Sequence, residues 1–201
     1  ALAADSPLLI NFSSAQYQAD DQNWSITQDH RGIMYIGNTK GLLEYDGANW
    51  ELHPLPNGQT ARAVAADQKG RIYCGSYGEF GYWQRDLLGT LYYTSLSKKL
   101  PREQIRKEEF WHILVTKRGV YFQSFGVMYH YDGHEVNRVP AYFPFMFLRE
   151  INGRLLLPAI RGAIYELTTD NKVKVLPGSE YFQELTITSI LADPQGILVG
   201  T

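Results

Sequence analysis

The sequence predicts an all-β fold, a β-propeller of four four-stranded blades followed by the first half of a fifth. A strand, a glycine turn and a second apolar strand recur five times, with turn glycines 38, 49, 34 and 43 residues apart. That spacing is typical of propeller blades, which take roughly 40–45 residues each. The composition agrees, because 18 Gly, 9 Pro and 14 Tyr in 201 residues favour short strands and turns over helices. The marker glycines are Gly32, Gly70, Gly119, Gly153 and Gly196.

Each repeat has the same order of features. An apolar strand leads into a D-x-x-G-type turn, where Asp caps the turn and Gly takes the positive φ that other residues resist. A second apolar strand, a glycine-containing turn, a third strand ending in Tyr-Asp-Gly or a related sequence, and a more polar outer strand follow. An Asp-Gly pair after a strand is a strong hairpin signal. The predicted blades cover residues 23–54, 61–96, 110–140 and 146–177, and a partial blade covers 186–201.

The start of the chain stands apart from this pattern, so we place the propeller at residues 13–201. Residues 1–12 include an apolar run, 8–12, that has no counterpart in the repeats. In closed propellers such a strand often completes the last blade, so it is a candidate ring-closing strand. Without that blade, we expect it to be disordered or paired with another edge. The Ala-rich start has the small-residue pattern of a signal-peptidase site, although a disordered start fits equally well.

Two further segments carry expectations about assembly. The insertion between the second and third blades, 96–109, could form a short helix after Pro101, and its mixed charges favour a solvated loop over a basic docking patch. The half blade at 186–201 indicates a piece of a larger, seven-bladed propeller. An open arc of blades would expose apolar sheet faces and a loose edge strand, so we expect the chain to self-associate or to be part of a longer polypeptide.

Composition excludes several functional classes. Lys and Arg total 19 against 21 Asp and Glu, which gives no basic field for nucleic acid. A single cysteine, Cys74, excludes an internal disulfide framework and a cysteine-based zinc site, and no apolar run is long enough to span a membrane. The glycines of segment 75–81 lack the G-K-[ST] ending of a phosphate-binding loop. We therefore expect no cofactor and no catalytic residue.

Two histidines near a hairpin are the nearest approach to a metal site. His130 and His134 flank Asp132, but no further ligand follows at a convincing spacing. We interpret them as surface turn residues and predict no metal.

The first repeat also carries a family resemblance. Residues 29–47 read D-x-x-G, a strand, and then G-N-x-x-G-L-x-x-Y-D-G, which resembles the regulator-propeller repeat of Bacteroidetes-type bacteria. Residues 22–26 and 75–83 look like the first blades of such sensors whose cytoplasmic part is a helix-turn-helix regulator. The resemblance covers roughly residues 10–201. The later blades depart from it, since Thr116 and Glu150 replace the turn aspartate.

The resemblance implies a function. That repeat builds the periplasmic sensor half of hybrid two-component and one-component transcriptional regulators that span the inner membrane. It implies a non-enzymatic sensor domain, a periplasmic location, self-association in the full-length protein, and an oligosaccharide or related nutrient as ligand.

The candidate ligand residues come from the propeller geometry. Loops between the second and third strands share one face with the blade entries, and aromatic rings with a few polar partners suit the faces of sugars. The alternative for the tryptophans is that they plug the core between blades. The candidates are Asn23, Trp24, Asn38, Lys40, Arg62, Tyr77, Glu79, Phe80, Trp111, Phe125 and Arg161.

Two other functional classes stay open. A propeller enzyme, such as a polysaccharide lyase or a glycosidase, would need convergent acids or a histidine near the channel mouth, and the loops between second and third strands offer Glu79 alone. A scaffold that mainly dimerises would need a flat apolar face or an unpaired blade edge.

Overall fold

A computed structural model describes residues 9–141 and 143–201, and it confirms the all-β prediction. The chain folds into four four-stranded antiparallel sheets and one two-stranded sheet. Its two α-helices are α1 (Ser14–Tyr17) and α2 (Arg102–Ile105), and short 3-10 turns cover Pro56–Gly58, Ser97–Lys99 and Ser179–Phe182. Within the described ranges, neither helix has the length or the apolar character needed to cross a bilayer.

Each of the four complete sheets is formed by consecutive strands in up-and-down order, as in a propeller blade. Blade one contains β1 (Asn23–Gln28), β2 (Met34–Asn38), β3 (Gly41–Tyr45) and β4 (Trp50–His53). Blade two contains β5 (Ala63–Ala66), β6 (Ile72–Ser76), β7 (Glu79–Arg85) and β8 (Leu91–Ser95). Blade three contains β9 (His112–Thr116), β10 (Gly119–Gln123), β11 (Met128–Tyr131) and β12 (Val136–Arg138). Blade four contains β13 (Arg149–Ile151), β14 (Arg154–Pro158), β15 (Ile164–Leu167) and β16 (Val173–Val175). The two-stranded sheet pairs β17 (Ser189–Asp193) with β18 (Gly196–Gly200).

The first turns of blades one and three are capped at the position that the sequence pattern predicts. In blade one, Oδ1 of Asp29 accepts a hydrogen bond from the backbone amide of Arg31 at 2.9 Å. Gly32 has a φ of +88°, in the left-handed region that favours glycine. In blade three, Oγ1 of Thr116 accepts the amide of Arg118 at 3.0 Å. A hydroxyl therefore caps this turn in place of the carboxylate, and the departure from the repeat leaves the fold unchanged.

The core lies in layers between neighbouring sheets, because both faces of each blade carry apolar side chains. Within β6, Ile72 and Cys74 face blade one while Tyr73 faces blade three.

The layer between blades one and two includes Tyr35, Leu42, Val64, Ile72 and Trp83. The layer between blades two and three includes Phe80, Phe110, Phe122 and Tyr129. The layer between blades three and four includes Tyr121, Met128, Leu155 and Leu157. Each buried side chain of this size contributes about 1.5–3 kcal/mol.

The outward side of blade four is covered as well. Phe147, Leu156 and Ile164 of this blade and its entry pack against Ile187 and Ile190, which belong to the β17–β18 hairpin and the segment leading to it. The hairpin therefore occupies the position of a fifth blade.

The N-terminal segment covers part of the outward face of blade one. Tyr17 and Ala19, in and after α1, pack on Ile36 and Leu43. Phe12 contacts the ring of Trp50 with 5.2 Å between centroids, and Tyr17 contacts it at 5.4 Å. Residues 9–12 form no strand, and residues 1–8 lie outside the described chain. The expected exposure of this whole face is therefore wrong for its outer part, while the ring-closing role of residues 1–12 stays a prediction.

The insertion between blades two and three forms the short helix expected after Pro101. It is more than a solvated loop, because Leu96 and Ile105 are buried in the core layer between these blades. The helix also lies against the β6–β7 turn, where a Cβ on Gly78 would stand 3.4 Å from the Cα of Arg106. The insertion therefore fixes this turn from the outside.

Candidate functional site

A cleft opens where the first strands of blades one, two and three begin, which we call the upper end of the propeller. It has a volume of about 350 Å³. Its walls come from the β2–β3 and β6–β7 turns and from the entries to β1, β5 and β9. We call it the upper cleft, and its lining residues are Gln22, Trp24, Thr39, Gly58, Gln59, Thr60, Arg62, Ser76, Tyr77 and Glu109.

One wall of the upper cleft is formed by Trp24, which is 39% exposed. Asn23 and Ser25 pair with consecutive residues of β2, so Trp24 sits in a β-bulge without a partner. Bulges re-aim a side chain out of the regular alternation of a strand. The indole Nε1 donates to Oγ1 of Thr39 at 3.3 Å, and the guanidinium of Arg62 lies over the ring, 3.4 Å from its centroid. These two contacts fix the orientation of the indole.

Arg62 joins the three blades around the cleft. Its Nε lies 2.6 Å from Oε1 of Glu109, and its backbone amide donates to the carbonyl of Gly75 at 2.8 Å. Glu109 also pairs with Tyr77 through an isolated antiparallel bridge. Since the single cation of the lining faces the single carboxylate, the cleft carries no net charge among the described residues.

The opposite wall presents an exposed aromatic ring and has an unpaired, buried hydroxyl behind it. Tyr77 is 55% exposed, and its backbone carbonyl accepts a hydrogen bond from Nε2 of Gln59 at 2.7 Å. Ser76 is 1% exposed, and its Oγ has no hydrogen-bond partner within the described part of the chain. Buried polar groups are nearly always hydrogen-bonded. The oxygen of Ser76 has less than 1 Å² of accessible surface, so this hydroxyl lies behind the wall of the upper cleft and does not face a ligand.

The structure brings three of the sequence-predicted residues together in this cleft, namely Trp24, Arg62 and Tyr77. The core-plug alternative is wrong for Trp24, whose ring is partly exposed and stacked under Arg62.

Asn23 and Asn38 lie beside the cleft, and the amide of Asn38 is fully occupied. Asn38 is fully buried, and its Nδ2 donates to Oδ1 of Asn23 at 2.8 Å and to the carbonyl of Asp20 at 2.7 Å. Its Oδ1 accepts the backbone amides of Lys40 and Asp20 at 2.9 and 3.2 Å. Asn38 therefore ties the N-terminal segment to the β2–β3 turn and is not available to a ligand, whereas Asn23 is exposed and its ligand role stays a prediction.

Glu79 and Phe80 point into the protein instead of toward the channel mouth. The carboxylate of Glu79 accepts hydrogen bonds from the hydroxyls of Tyr93, Ser95 and Ser97 at 3.0, 2.7 and 2.8 Å. Burial raises the pKa of Tyr93 well above its ordinary value, so this phenol remains a donor. The ring of Phe80 is fully buried in the layer between blades two and three. Their prediction as ligand residues fails because neighbouring blades cover both faces of β7, so both side chains are buried although they point to opposite faces.

The remaining candidates lie elsewhere on the upper end. Trp111 and Phe125 stack with 4.8 Å between their ring centroids, and Trp111 also packs on the core between blade four and the hairpin. The plugging alternative therefore describes Trp111 better than the ligand role. Lys40 and Arg161 are exposed and lie outside the lining of the upper cleft.

Four residues that matter for the cleft are absent from the sequence-based prediction, namely Thr39, Gln59, Ser76 and Glu109. Thr39 sits between two predicted candidates, Ser76 directly precedes Tyr77, and Glu109 lies two residues before Trp111, so the sequence pattern identifies the right loops. Gln59 comes from the connection between blades, a segment that the repeat pattern leaves undescribed.

One group in the described part of the chain has the residue types and spacing of a metal site. Ligand atoms of Glu44, Glu51 and His53 lie within 4.8 Å of one another. The carboxylate of Glu44 already contacts the guanidinium of Arg85 and lies 3.0 Å from Nε2 of His53. The positive charge of Arg85 beside these side chains repels a metal cation. We therefore interpret the group as an ion-pair network that joins blades one and two.

His130 has both ring nitrogens engaged. Nε2 donates to the carbonyl of Arg118 at 2.8 Å, and Nδ1 accepts from Nδ2 of Asn171 at 3.1 Å. Burial lowers the pKa of this histidine, which keeps the ring neutral. Asp132 caps its own turn through the amides of His134 and Glu135 at 2.8 Å. These residues act as structural turn residues.

No family model matches the sequence. No curated protein matches it either. Solved structures do match its fold. The extracellular domain of a putative one-component system from B. thetaiotaomicron, also described as a hybrid two-component system, superimposes with a TM-score of 0.62 at 16% identity over 89% of this chain. The chain spans 25% of the length of that domain.

Two further structures share the architecture. Virginiamycin B lyase from Staphylococcus aureus superimposes with a TM-score of 0.63 at 12% identity, covering 88% of this chain and 62% of the lyase. PorZ, a surface component of the type-IX secretion system of Porphyromonas gingivalis, superimposes with a TM-score of 0.52 at 16% identity over 86% of this chain and 22% of PorZ. Identities this low establish the fold alone. The chain is therefore an array of propeller blades, and its structural neighbours include the extracellular domain of the class of regulator that the sequence resemblance indicated.

Proposed function

We propose that this chain is the ligand-sensing propeller of an exported, membrane-anchored signal-transduction regulator, and that the upper cleft binds a neutral oligosaccharide. The extracellular neighbour and the sequence resemblance of blade one support the sensor role. The chain covers a quarter of the neighbouring domain, and the resemblance rests mainly on blade one. The output domain, the periplasmic location and dimerisation therefore belong to the proposal as well.

The observation that carries the ligand class is the combination of surfaces in the upper cleft. The exposed ring of Tyr77 and the fixed indole of Trp24 offer flat apolar faces, which suit the C–H face of a pyranose. The side chains of Thr39 and Gln59 supply hydrogen-bonding groups for sugar hydroxyls. The volume of about 350 Å³ is within the usual range for small-molecule sites.

The charge of the cleft argues for a neutral sugar and against glycoside hydrolysis. Arg62 and Glu109 face each other, so neither offers an uncompensated charge to a ligand. Glycosidases use a pair of carboxyl groups about 5–10 Å apart. The lining of the upper cleft holds one carboxylate, that of Glu109, and it is bound to Arg62. The lining of the upper cleft therefore lacks the carboxyl pair of a glycosidase.

The proposal is tested by titration calorimetry of this chain against a panel of neutral oligosaccharides. Replacing Tyr77 by Ala should weaken binding of the active glycan about tenfold, since one aromatic contact contributes roughly 1 kcal/mol beyond its buried area. Tyr181→Ala is the matched control, because Tyr181 is an exposed tyrosine outside the lining of the upper cleft. It should bind like the wild type.

Two results would overturn the proposal. One is the absence of binding to every neutral glycan in the panel by a folded chain. The other is a glycan whose affinity is unchanged in Tyr77→Ala and in Gln59→Ala, which would place its site outside the upper cleft.

A further inference from the structure

A second cleft lies at the opposite end of the blades. Strand β5 begins beside Arg62 of the upper cleft and ends at Ala66, which lines this second opening. The second cleft is formed by the β5–β6 and β9–β10 turns together with the end of β11. Its volume is about 590 Å³. We call it the lower cleft.

Four cationic side chains line the lower cleft, and they share one property. None of them lies within 4.0 Å of a carboxylate among the described residues, whereas Arg31, Arg62, Arg85 and Arg154 elsewhere are all ion-paired. The four are Lys69, Arg71, Lys117 and Arg118. The lower cleft therefore collects positive charge that the fold itself does not neutralise.

Two of these cations are held in place by neutral groups. Nε of Arg71 donates to Oε1 of Gln84 at 3.1 Å, and its guanidinium lies over the ring of Tyr82 at 4.6 Å. Arg118 donates to the carbonyls of Leu167 and Thr168 in blade four. Neutral acceptors and aromatic faces orient a guanidinium without cancelling its charge, and they leave remaining N–H donors available.

The acidic side chains of the lower cleft cancel this charge only in part. Oδ1 of Asp67 accepts the backbone amides of Lys69 and Arg71 at 2.8 and 2.9 Å, and its Oδ2 accepts the hydroxyl of Tyr73 at 3.1 Å. Asp132 is likewise taken up by the amides of its own turn. Glu150 lines the cleft as an exposed side chain. Hydrogen bonds from neutral donors leave a carboxylate charged, so four cations face three carboxylates in this lining, and the excess is one positive charge.

We propose that the lower cleft is a second binding site, which takes an anionic ligand through a carboxylate, sulfate or phosphate group. The planar guanidinium of Arg71 provides a directed contact for such an oxyanion, and the ammonium groups of Lys69 and Lys117 add charge at the rim. The ligand is either a free small anion or an acidic sugar, because both present the same group. The site is independent of the upper cleft, whose own charges are paired.

The test uses calorimetric titrations of the chain with inorganic phosphate, with trigalacturonate and with maltotriose as the neutral probe. We expect at least one of the anionic probes to bind and maltotriose to leave the lower cleft empty. Phosphate binding identifies a small-anion site, and binding of trigalacturonate alone identifies an acidic-sugar site. Affinity should fall as salt is raised, since partly exposed charges are screened.

Variants locate the binding. Lys117→Gln should weaken the anion about threefold and Arg71→Gln about tenfold, because a fixed guanidinium makes stronger contacts than an exposed ammonium. Lys40→Gln is the matched control, since it removes an exposed lysine at the upper end of the blades. Lys117 is exposed, so its replacement tests the site even if Arg71→Gln fails to fold. Wild-type affinity in a folded Lys117→Gln/Lys69→Gln double variant, or binding of neither anion, would overturn the proposal.

Discussion

The aromatic layer between blades two and three offers a direct test of the fold through Phe80. Its ring is 0% exposed, and its centroid lies 4.6 Å from both Phe110 and Phe122 and 5.6 Å from Tyr129. Phe80→Ala removes the ring that these three share and leaves a cavity. Such a truncation costs about 3–5 kcal/mol of the free energy of unfolding.

Urea denaturation followed by tryptophan fluorescence measures this loss. With a slope of about 2 kcal/mol per molar urea, the midpoint of Phe80→Ala should fall by about 1.5–2.5 M. Leu88→Ala is the control, because Leu88 is 91% exposed at a hairpin tip and its truncation should change stability by less than about 0.5 kcal/mol.

A midpoint shift in Phe80→Ala no larger than that in Leu88→Ala would refute the placement of this ring. It would restore Phe80 as a surface residue, which is the role that the loop pattern predicts. The inward orientation of β7, and with it the buried position of Glu79, would then have to be abandoned.

Two further predictions concern titratable groups. Burial lowers the pKa of His112, and its Nε2 contacts the carbonyl of Leu148 at 2.9 Å. Protonation therefore favours the unfolded chain, and the stability present above pH about 6.5 is lost as the pH falls through the lower folded-state pKa. The free energy of unfolding should decrease between pH 7 and 5, less steeply in His112→Gln, and equal slopes would contradict this. Burial also raises the pKa of the Cys74 thiol, so a thiol reagent should label Cys74 only when the chain unfolds, and rapid labelling of the native chain would show that β6 is open.

The sequence predicts the fold well because the repeat contains its own turn chemistry. Asp29 and Asp67 accept backbone amides two residues further on, and the tyrosines of the Tyr-Asp-Gly turns donate to the glycine carbonyls, as Tyr45 and Tyr131 do at 2.8 and 2.7 Å. These contacts are local, so their residues are adjacent in the sequence and visible there. Strand order then follows from consecutive hairpins.

The site is predicted less well because its contacts are not local. Trp24 of blade one contacts Arg62 at the entry to blade two, and Arg62 contacts Glu109 at the entry to blade three. A loop pattern identifies which turns reach the upper end of the blades, but it does not give the direction of each side chain. Asn38 and Phe80 were misassigned for this reason, since both sit at strand ends where a neighbouring blade or a local amide network buries them.

The hydrogen bonds around Asn38 have a consequence for how the molecule could transmit a signal. The amide of this residue holds Asp20 on one side, and the backbone amide of the next residue, Thr39, donates to the carbonyl of Gln22 at 3.2 Å. The same hydrogen bonds therefore hold the N-terminal segment in place and fix the wall formed by Trp24 and Thr39. By thermodynamic reciprocity, a ligand that stabilises this wall strengthens docking of the segment by the same free energy, and release of the segment weakens the ligand. A ligand in the upper cleft would thus be connected to the N-terminal segment through only a few hydrogen bonds.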